Sequence, residues 1–379
     1  MFERSKTDNR RVLIIDFNHM AWSYAFSNAT ALTCMVKIDN EMVQVNTTIP
    51  AYTIKQINRW SNKGINPVAV CFDGINSARC RKAYFAKKFG LTSDGKPQGY
   101  KARRDVRDQK FYDSINLTMN YMQRGGMSCY RGEGYEADDL IKACVDNAKL
   151  HYPDLPIDII TGDADLIPLV DDQVSVFMRS TKTTYAESPD IEKKHYVQIT
   201  PRNYQDYVES LSSYRNLLVP YNTILLTKLL RGDKSDEIAG KPDWKPKMYN
   251  QFVEMMWDNG EELSEIFRYD APTEEYFYKG TETPIPKEII TTVPKEEIQI
   301  KYGEPPALTR ICELVGKYCE PEDVEHVRFV YNGINLNGAF TDISPDFLRR
   351  PAKLVTPIQG YNVIQLQQVV SALQINVAG

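Results

Sequence analysis

Three times before residue 165 an apolar run ends in an aspartate and a turn. Residues 11–16 read Arg-Val-Leu-Ile-Ile-Asp, residues 67–74 Pro-Val-Ala-Val-Cys-Phe-Asp-Gly, and residues 157–163 Ile-Asp-Ile-Ile-Thr-Gly-Asp. Short, nearly continuous apolar runs bounded by turns read as strands buried on both faces. A weaker run at 174–178 is a candidate fourth strand. Helical periodicity fills the intervals at 51–60, 111–123 and 136–150. Strands alternating with helices predict an α/β fold, a central and mostly parallel sheet with helices on both faces. Such sheets bind ligands beyond the carboxyl ends of their strands. Asp16, Asp73, Asp163 and Asp165 fall there.

Two further acidic groups follow. Glu136, Asp138 and Asp139 lie in Gly-Tyr-Glu-Ala-Asp-Asp at 134–139, and Asp233 and Asp236 in Gly-Asp-Lys-Ser-Asp at 232–236. If all nine carboxylates share one crevice, they cannot remain ionised without cations, because close like charges raise one another's pKa. All-oxygen donors suit Mg²⁺ or Mn²⁺. Two such ions about 3.5–4 Å apart can activate a water and stabilise the leaving oxygen of an in-line phosphoryl displacement. Each acid also has a plainer reading. An aspartate after a strand is often a turn former or helix cap, and acids in a first helical turn are favoured by the helix dipole. That reading does not explain acids at every strand end on one rim. Zinc is disfavoured, since the seven cysteines and four histidines show no ligand spacing. The scattered cysteines read as reduced thiols of a cytoplasmic protein. No apolar run approaches a membrane span of about 20 residues, and the run at 12–15 is too short for a signal peptide.

The formal net charge of −4 hides an asymmetry. Residues 79–110 carry eleven Lys/Arg against three acids, with Tyr84, Phe85, Phe89, Tyr100 and Phe111 interleaved. A local basic field of this kind attracts polyanions whatever the net charge. Arg79, Arg81, Lys82, Lys87, Lys88, Arg103 and Arg107 are the candidate phosphate contacts. Beyond residue 210 the character changes: helices are expected at 222–231 and 248–257, and 271–306 is a Pro-, Glu-, Lys- and Thr-rich extended excursion. A helix is expected at 307–318, a strand at 327–331 and a helix at 363–373. The last of these fits either core packing or a partner helix.

These motifs, taken together, resemble the 5′-nuclease (flap endonuclease, 5′–3′ exonuclease) family, which includes the N-terminal domain of bacterial DNA polymerase I and phage 5′ nucleases. The resemblance covers roughly residues 11–240. The runs ending at Asp16 and Asp73 look like the family's first two metal strands. Tyr-Lys-Ala-Arg-Arg at 100–104 resembles its Tyr-Lys-x-x-Arg arch element, and the motifs at 134–139, 161–165 and 232–236 resemble the remaining three. Residues 227–236 look most like the phage enzymes called RNase H, which remove RNA primers. The resemblance implies two Mg²⁺, with Mn²⁺ as substitute. Asp16, Asp73, Glu136 and Asp138 would surround mainly one ion, and Asp139, Asp163, Asp165, Asp233 and Asp236 mainly the other. It implies that Lys101 and Arg104 touch the scissile phosphate. It further implies a nuclease domain over 1–210 with a helical arch at about 79–125, a helical DNA-binding region over 211–270, and an accessory region over 271–379. The implied substrates are DNA with 5′ ends, flaps or nicks and RNA–DNA hybrid, for a monomer in contact with replication proteins such as single-strand-binding protein or a clamp.

The chain departs from the family after Asp236. The usual Gly-Val-x-Gly-Val-Gly hairpin is replaced by Ile-Ala-Gly-Lys-Pro-Asp-Trp-Lys-Pro-Lys at 238–247, which keeps Gly240 and loses the second glycine turn. Lys241, Lys245 and Lys247 fit phosphate contact or a solvated surface equally. A dehalogenase-type phosphatase would need a second aspartate two residues after Asp16, where Asn18 stands. A small toxin-type nuclease lacks the arch and the last acidic motif. A non-catalytic nucleic-acid binder on the same fold would be expected to lose some of the acids, and all nine are present.

Overall fold

The computed structural model describes residues 10–25, 33–38, 41–62, 65–91, 99–101, 109–179, 196–220, 223–261, 274–334 and 358–372. The first elements are β1 (Val12–Asp16), α1 (Phe17–Ala25), β2 (Thr33–Ile38), β3 (Glu41–Asn46), α2 (Thr48–Trp60), β4 (Val68–Cys71), α3 (Arg79–Phe89) and α4 (Gln109–Arg124). Next come β5 (Ser128–Tyr130), α5 (Ala137–His151), β6 (Ile157–Thr161), β7 (Val174–Arg179), β8 (Tyr196–Ile199), α6 (Tyr204–Ser210) and α7 (Thr223–Arg231). The remainder is β9 (Gly232–Asp233), β10 (Ile238–Ala239), α8 (Pro246–Asp258), β11 (Glu274–Tyr278), β12 (Ile298–Tyr302), α9 (Pro306–Tyr318), α10 (Pro321–Ile334) and α11 (Val363–Ala372). Among the described residues no helix is long and apolar enough to cross a membrane.

The chain divides into two compact units, and the division crosses the boundaries expected at 210 and 270. The first takes residues 1–79, 103–204 and 351–379, the second residues 80–102 and 205–350.

In the first unit a six-stranded sheet runs in the order β5-β4-β1-β6-β7-β8. All neighbours pair in parallel except β7 and β8. The apolar runs occupy its centre, with every residue of β1, β4 and β6 buried. Leu13 pairs with Val68 on one side and Asp158 on the other, so β1, β4 and β6 end level with one another. Asp158 is the single charge inside β6, and Arg11 reaches it at 2.7 Å. One face is filled by Phe17 tilted against Phe72, and by Trp60 with its edge against Phe177 and Tyr196. The last described segment closes this same core. Ile358 is buried, Gln359 O accepts from Val68 N–H, the Tyr361 and Ser61 hydroxyls meet at 2.7 Å, and Leu366 sits against Gly125. The helix expected there, α11, therefore packs on the core. Leu366→Ala should cost about 2–5 kcal/mol, the usual range for emptying a buried leucine site. Urea denaturation checks this, and a loss below about 1 kcal/mol would show that the segment merely lies on the surface.

In the second unit α10 replaces the strand expected at 327–331. Its buried positions include Asp323, His326, Val327, Val330, Tyr331 and Ile334, a three–four spacing that only a helix puts on one face. The valines there reflect burial, not extended backbone. Residues 271–306, expected as an open excursion, contain the antiparallel ladder β11–β12, with Tyr276 opposite Ile300. The base of the expected arch packs in this unit. Tyr84 stacks on Phe329 at 4.7 Å, and Phe85 lies face-on to Tyr100 and edge-on to Phe329. Tyr84, Phe85 and Tyr100 are buried in protein.

Candidate metal centre

In the first unit the level ends of β1, β4 and β6 bring the acids to one rim. Asp16 is the last residue of β1 and only 5% exposed. Its Oδ2 accepts from the Thr161 hydroxyl at 2.7 Å and its Oδ1 from the His19 N–H at 3.1 Å. Thr161 Oγ1 in turn accepts from Asp163 N–H at 2.9 Å. One threonine thus spaces the first and third acidic strand ends. Asp163 caps a 3-10 turn over Ala164–Leu169, accepting from Asp165 N–H at 2.9 Å.

Asp73, two residues past β4, ties three elements together. Oδ1 accepts from Ala137 N–H at 2.9 Å, at the start of α5; Oδ2 accepts from Asn18 Nδ2 at 2.6 Å, in α1; and its carbonyl accepts from Arg131 Nε at 3.0 Å. The bond to Ala137 brings the next acids to this rim. Glu136 is the N-cap of α5, and its N–H donates to Asp139 at 3.0 Å in a capping box, with Asp138 beside them. Capping and metal binding coexist here, because a carboxylate has lone pairs beyond the one a cap uses.

Asp16, Asp73, Glu136, Asp138, Asp139, Asp163 and Asp165 thus all belong to the first unit. Burial pushes the Asp16 carboxyl up to about 7, the charges of Asp163 and Asp73 add to the rise, and the bonds from Thr161 and His19 offset only part of it. An acid so unwilling to ionise marks a place where a cation would be welcome. His19, which the sequence did not single out, packs where a Cβ on Gly162 would lie, and burial followed by the charge of Arg179 lowers its pKa. The donors on this rim are oxygens, which fits a hard divalent cation.

Asp233 and Asp236 belong to the second unit and lie just past α7. Asp233 Oδ1 accepts from Ser235 N–H at 2.7 Å and from the Ser235 hydroxyl at 2.6 Å. Lys228, 6% exposed, sends its ammonium to Asp233 at 2.6 Å and to within 4.0 Å of Asp236. Burial opposes the Asp233 charge, but Lys228 and Ser235 together outweigh it and hold the carboxyl down near 2. Sequence reading missed Lys228. Its signal was a charge set among the leucines of a largely apolar helix. Lys101, an expected catalytic cation, is tied to the same loop: its N–H donates to Asp236 O at 2.8 Å, its ammonium is 3.7 Å from Asp236 Oδ1, and its φ is +48°.

Replacing Lys228 by methionine should cost about 3–5 kcal/mol in chelator, since a buried pair loses one partner. The sign follows from the Asp233 value. Its stabilising share is present above the ordinary carboxylate range and is lost as pH falls through about 2. The cost should therefore shrink in strong acid, as denaturation curves between pH 2 and pH 7 would register; a pH-independent cost would contradict this account.

The remaining expected contacts divide. Arg79, Lys87, Lys88, Lys245 and Lys247 are exposed, and Lys82 is half-buried. Arg81 is 3% exposed and donates to Gly333 O at 3.2 Å, so its guanidinium is held inside the second unit. Lys241 pairs with Asp323 at 2.8 Å. Trp244, buried on Phe252 and donating to Asp323, stands in the stretch that lacks the second glycine turn. Arg103, Arg104 and Arg107 lie outside the described residues.

Residues 11–196 match a family described as 5′-3′ exonuclease, N-terminal resolvase-like domain. DNA polymerase I of Mycobacterium tuberculosis is 29% identical over 147 residues, which is 38% of this chain and 14% of the polymerase. The polymerase of Chloroflexus aurantiacus is 29% identical over 146 residues, 37% of this chain and 13% of its own length. The chain thus aligns with only a small part of these relatives. Among solved structures, bacteriophage T5 5′-exonuclease with bound zinc ions is 13% identical, with a TM-score of 0.47 over 97% of this chain and 100% of that one.

Proposed function

From the match of residues 11–196 to the 5′-3′ exonuclease N-terminal resolvase-like domain, we propose that this protein is a structure-dependent 5′ nuclease that hydrolyses phosphodiester bonds of DNA or RNA–DNA hybrid with two Mg²⁺. The observation that carries the reading is the convergence of Asp16, Asp73, Glu136 and Asp163 at the carboxyl ends of the parallel strands, joined through Thr161, Asn18 and Ala137. Two bound divalent cations would supply water activation and charge neutralisation at the leaving oxygen. By the sequence pattern, Asp233 and Asp236 complete the acidic set. The chain's own residues do the rest. Thr161, Asn18 and backbone donors fix Asp16, Asp73 and Asp163 in place before substrate arrives. Lys101 would meet the scissile phosphate with Arg104, and the exposed cations Arg79, Lys87 and Lys88 would guide the flanking backbone.

The test uses a 5′-labelled duplex with a single-stranded 5′ flap, incubated in Mg²⁺ or EDTA with the wild-type protein and with Asp163→Asn. Short 5′ products that require Mg²⁺ and vanish in the variant are expected. Binding without cleavage in either Mg²⁺ or Mn²⁺ would sink the enzyme reading and leave a non-catalytic nucleic-acid binder.

A further inference from the structure

Asn18 is not one of the acids, yet it sits among them. It lies in the first turn of α1, two residues past Asp16, and is 7% exposed. Its Nδ2 donates to Asp73 Oδ2 at 2.6 Å, the length of a charge-assisted bond. That bond fixes the amide, because only its NH₂ end can donate to a carboxylate. The other end, Oδ1, is then buried beside the acids, and no donor among the described residues reaches it. A buried acceptor left without a donor is costly, and leucine would fill the same volume without that cost. The position therefore calls for a donor that arrives with a ligand. Hydrated divalent cations bring such donors, since Mg²⁺ gives up its waters reluctantly and each retained water offers O–H groups.

The geometry points to Asn18 as a positioning residue of the metal centre: Nδ2 holds the Asp73 carboxylate, and Oδ1 accepts a hydrogen bond from a water in the hydration shell of a divalent cation held by Asp16 and Asp73. This rests on the metal-dependent reading given above. It also explains the residue type. An aspartate here would keep an acceptor but lose the donor to Asp73, and a serine would be too short to serve both.

The experiment is calorimetric titration of the full chain with Mn²⁺ at one pH, for wild type, Asn18→Leu and Asn18→Asp, beside thermal melts in EDTA. Asn18→Leu should weaken Mn²⁺ binding roughly 10–100-fold, the usual effect of losing an outer-shell partner. Its melting temperature in EDTA should change little, because removing the unpaired acceptor offsets the lost donor to Asp73. Asn18→Asp should melt lower in EDTA and yet bind Mn²⁺ within about threefold of wild type or more tightly, because a carboxylate oxygen replaces Oδ1. Wild-type affinity in Asn18→Leu would overturn the proposal. So would an Asn18→Asp variant as weak as Asn18→Leu, since the donor to Asp73 would then be the whole effect. If Asn18→Leu fails to fold, the comparison of Asn18→Asp with wild type still decides. No Mn²⁺ binding by the wild-type protein would instead remove the metal reading itself.

Discussion

Asp16→Asn is expected to abolish Mg²⁺-dependent cleavage and, in the same protein, to raise the melting temperature measured in EDTA. The first effect follows from losing a carboxylate at the centre of the rim. Metal-borne charge stabilisation is worth several kcal/mol, so a loss of about 10³-fold or more is expected. The second follows from the cost of the wild-type charge. The folded Asp16 titrates near 7 and the unfolded one near 3.8. Between those values the unfolded chain releases the proton and the folded chain keeps it. Stability of the metal-free protein therefore falls as pH rises through that window, and the full cost is present above 7. At about 1.4 kcal/mol per pH unit the cost approaches about 4 kcal/mol. Asparagine stays neutral and lacks this slope. Melts of both proteins at pH 4 and pH 8 would show it as a gap that opens with pH. Saturating Mg²⁺ should then stabilise the wild type more than the variant. Parallel pH profiles in EDTA would contradict the burial account of Asp16.

Gly74→Ala should cost about 10²-fold in cleavage without touching an acid. A Cβ at Gly74 would lie well inside 3.0 Å of the Gly132 carbonyl and within 2.9 Å of Tyr135 O. Both obstacles are backbone, so no side chain can swing aside. The two loops are also laced together, Gly74 N–H to Tyr135 O and Gly134 N–H to Ile75 O, each at 2.9 Å. Forcing them apart costs about 1–3 kcal/mol or more. It also separates Asp73 from the start of α5, and a displacement near 1 Å in a catalytic site costs about 10²-fold. Gly316→Ala is the control. Its nearest obstacle is Val324 Cγ2 at 3.5 Å, and alanine in the interior of α9 should add up to about 1 kcal/mol of stability with activity intact. Similar behaviour of the two variants in melts and in the flap assay would defeat the clearance argument.

What the sequence disclosed, and what it withheld, follows from where the information lies along the chain. The runs of β1, β4 and β6 are legible because a strand buried on both faces must be apolar throughout, and their terminal aspartates stand out against that background. β5 has three half-buried residues, and β8 alternates weakly, so both owe their places to their neighbours. α10 was misread because its valines satisfy a strand locally, while the three–four burial stripe emerges only against α7 and α9. Asn18 carries no local signature at all, and Lys228 only that of a charge within a largely apolar helix. Each acquires meaning from an acid that the fold brings beside it. The burial of Arg81 and Tyr84 is set by Gly333 and Phe329, some 250 residues later, a partnership that no windowed reading of residues 79–110 can reach.

The closing segment of the first unit has a consequence for synthesis. Tyr361 meets Ser61 across 300 residues of chain. At about 5–20 residues per second of translation, the partner that seals α2 emerges roughly 15–60 s after it. Until then Ser61 lacks Tyr361 and Gly125 lacks Leu366, and closure of so long a loop is slow by its entropy alone. Nascent chains stalled before residue 358 should therefore be cut by protease within the sheet domain, and chains stalled late enough to free residue 372 from the ribosome should resist. The acidic rim is thus encoded early, but the domain that must hold it rigid matures only once residues 358–372 have emerged.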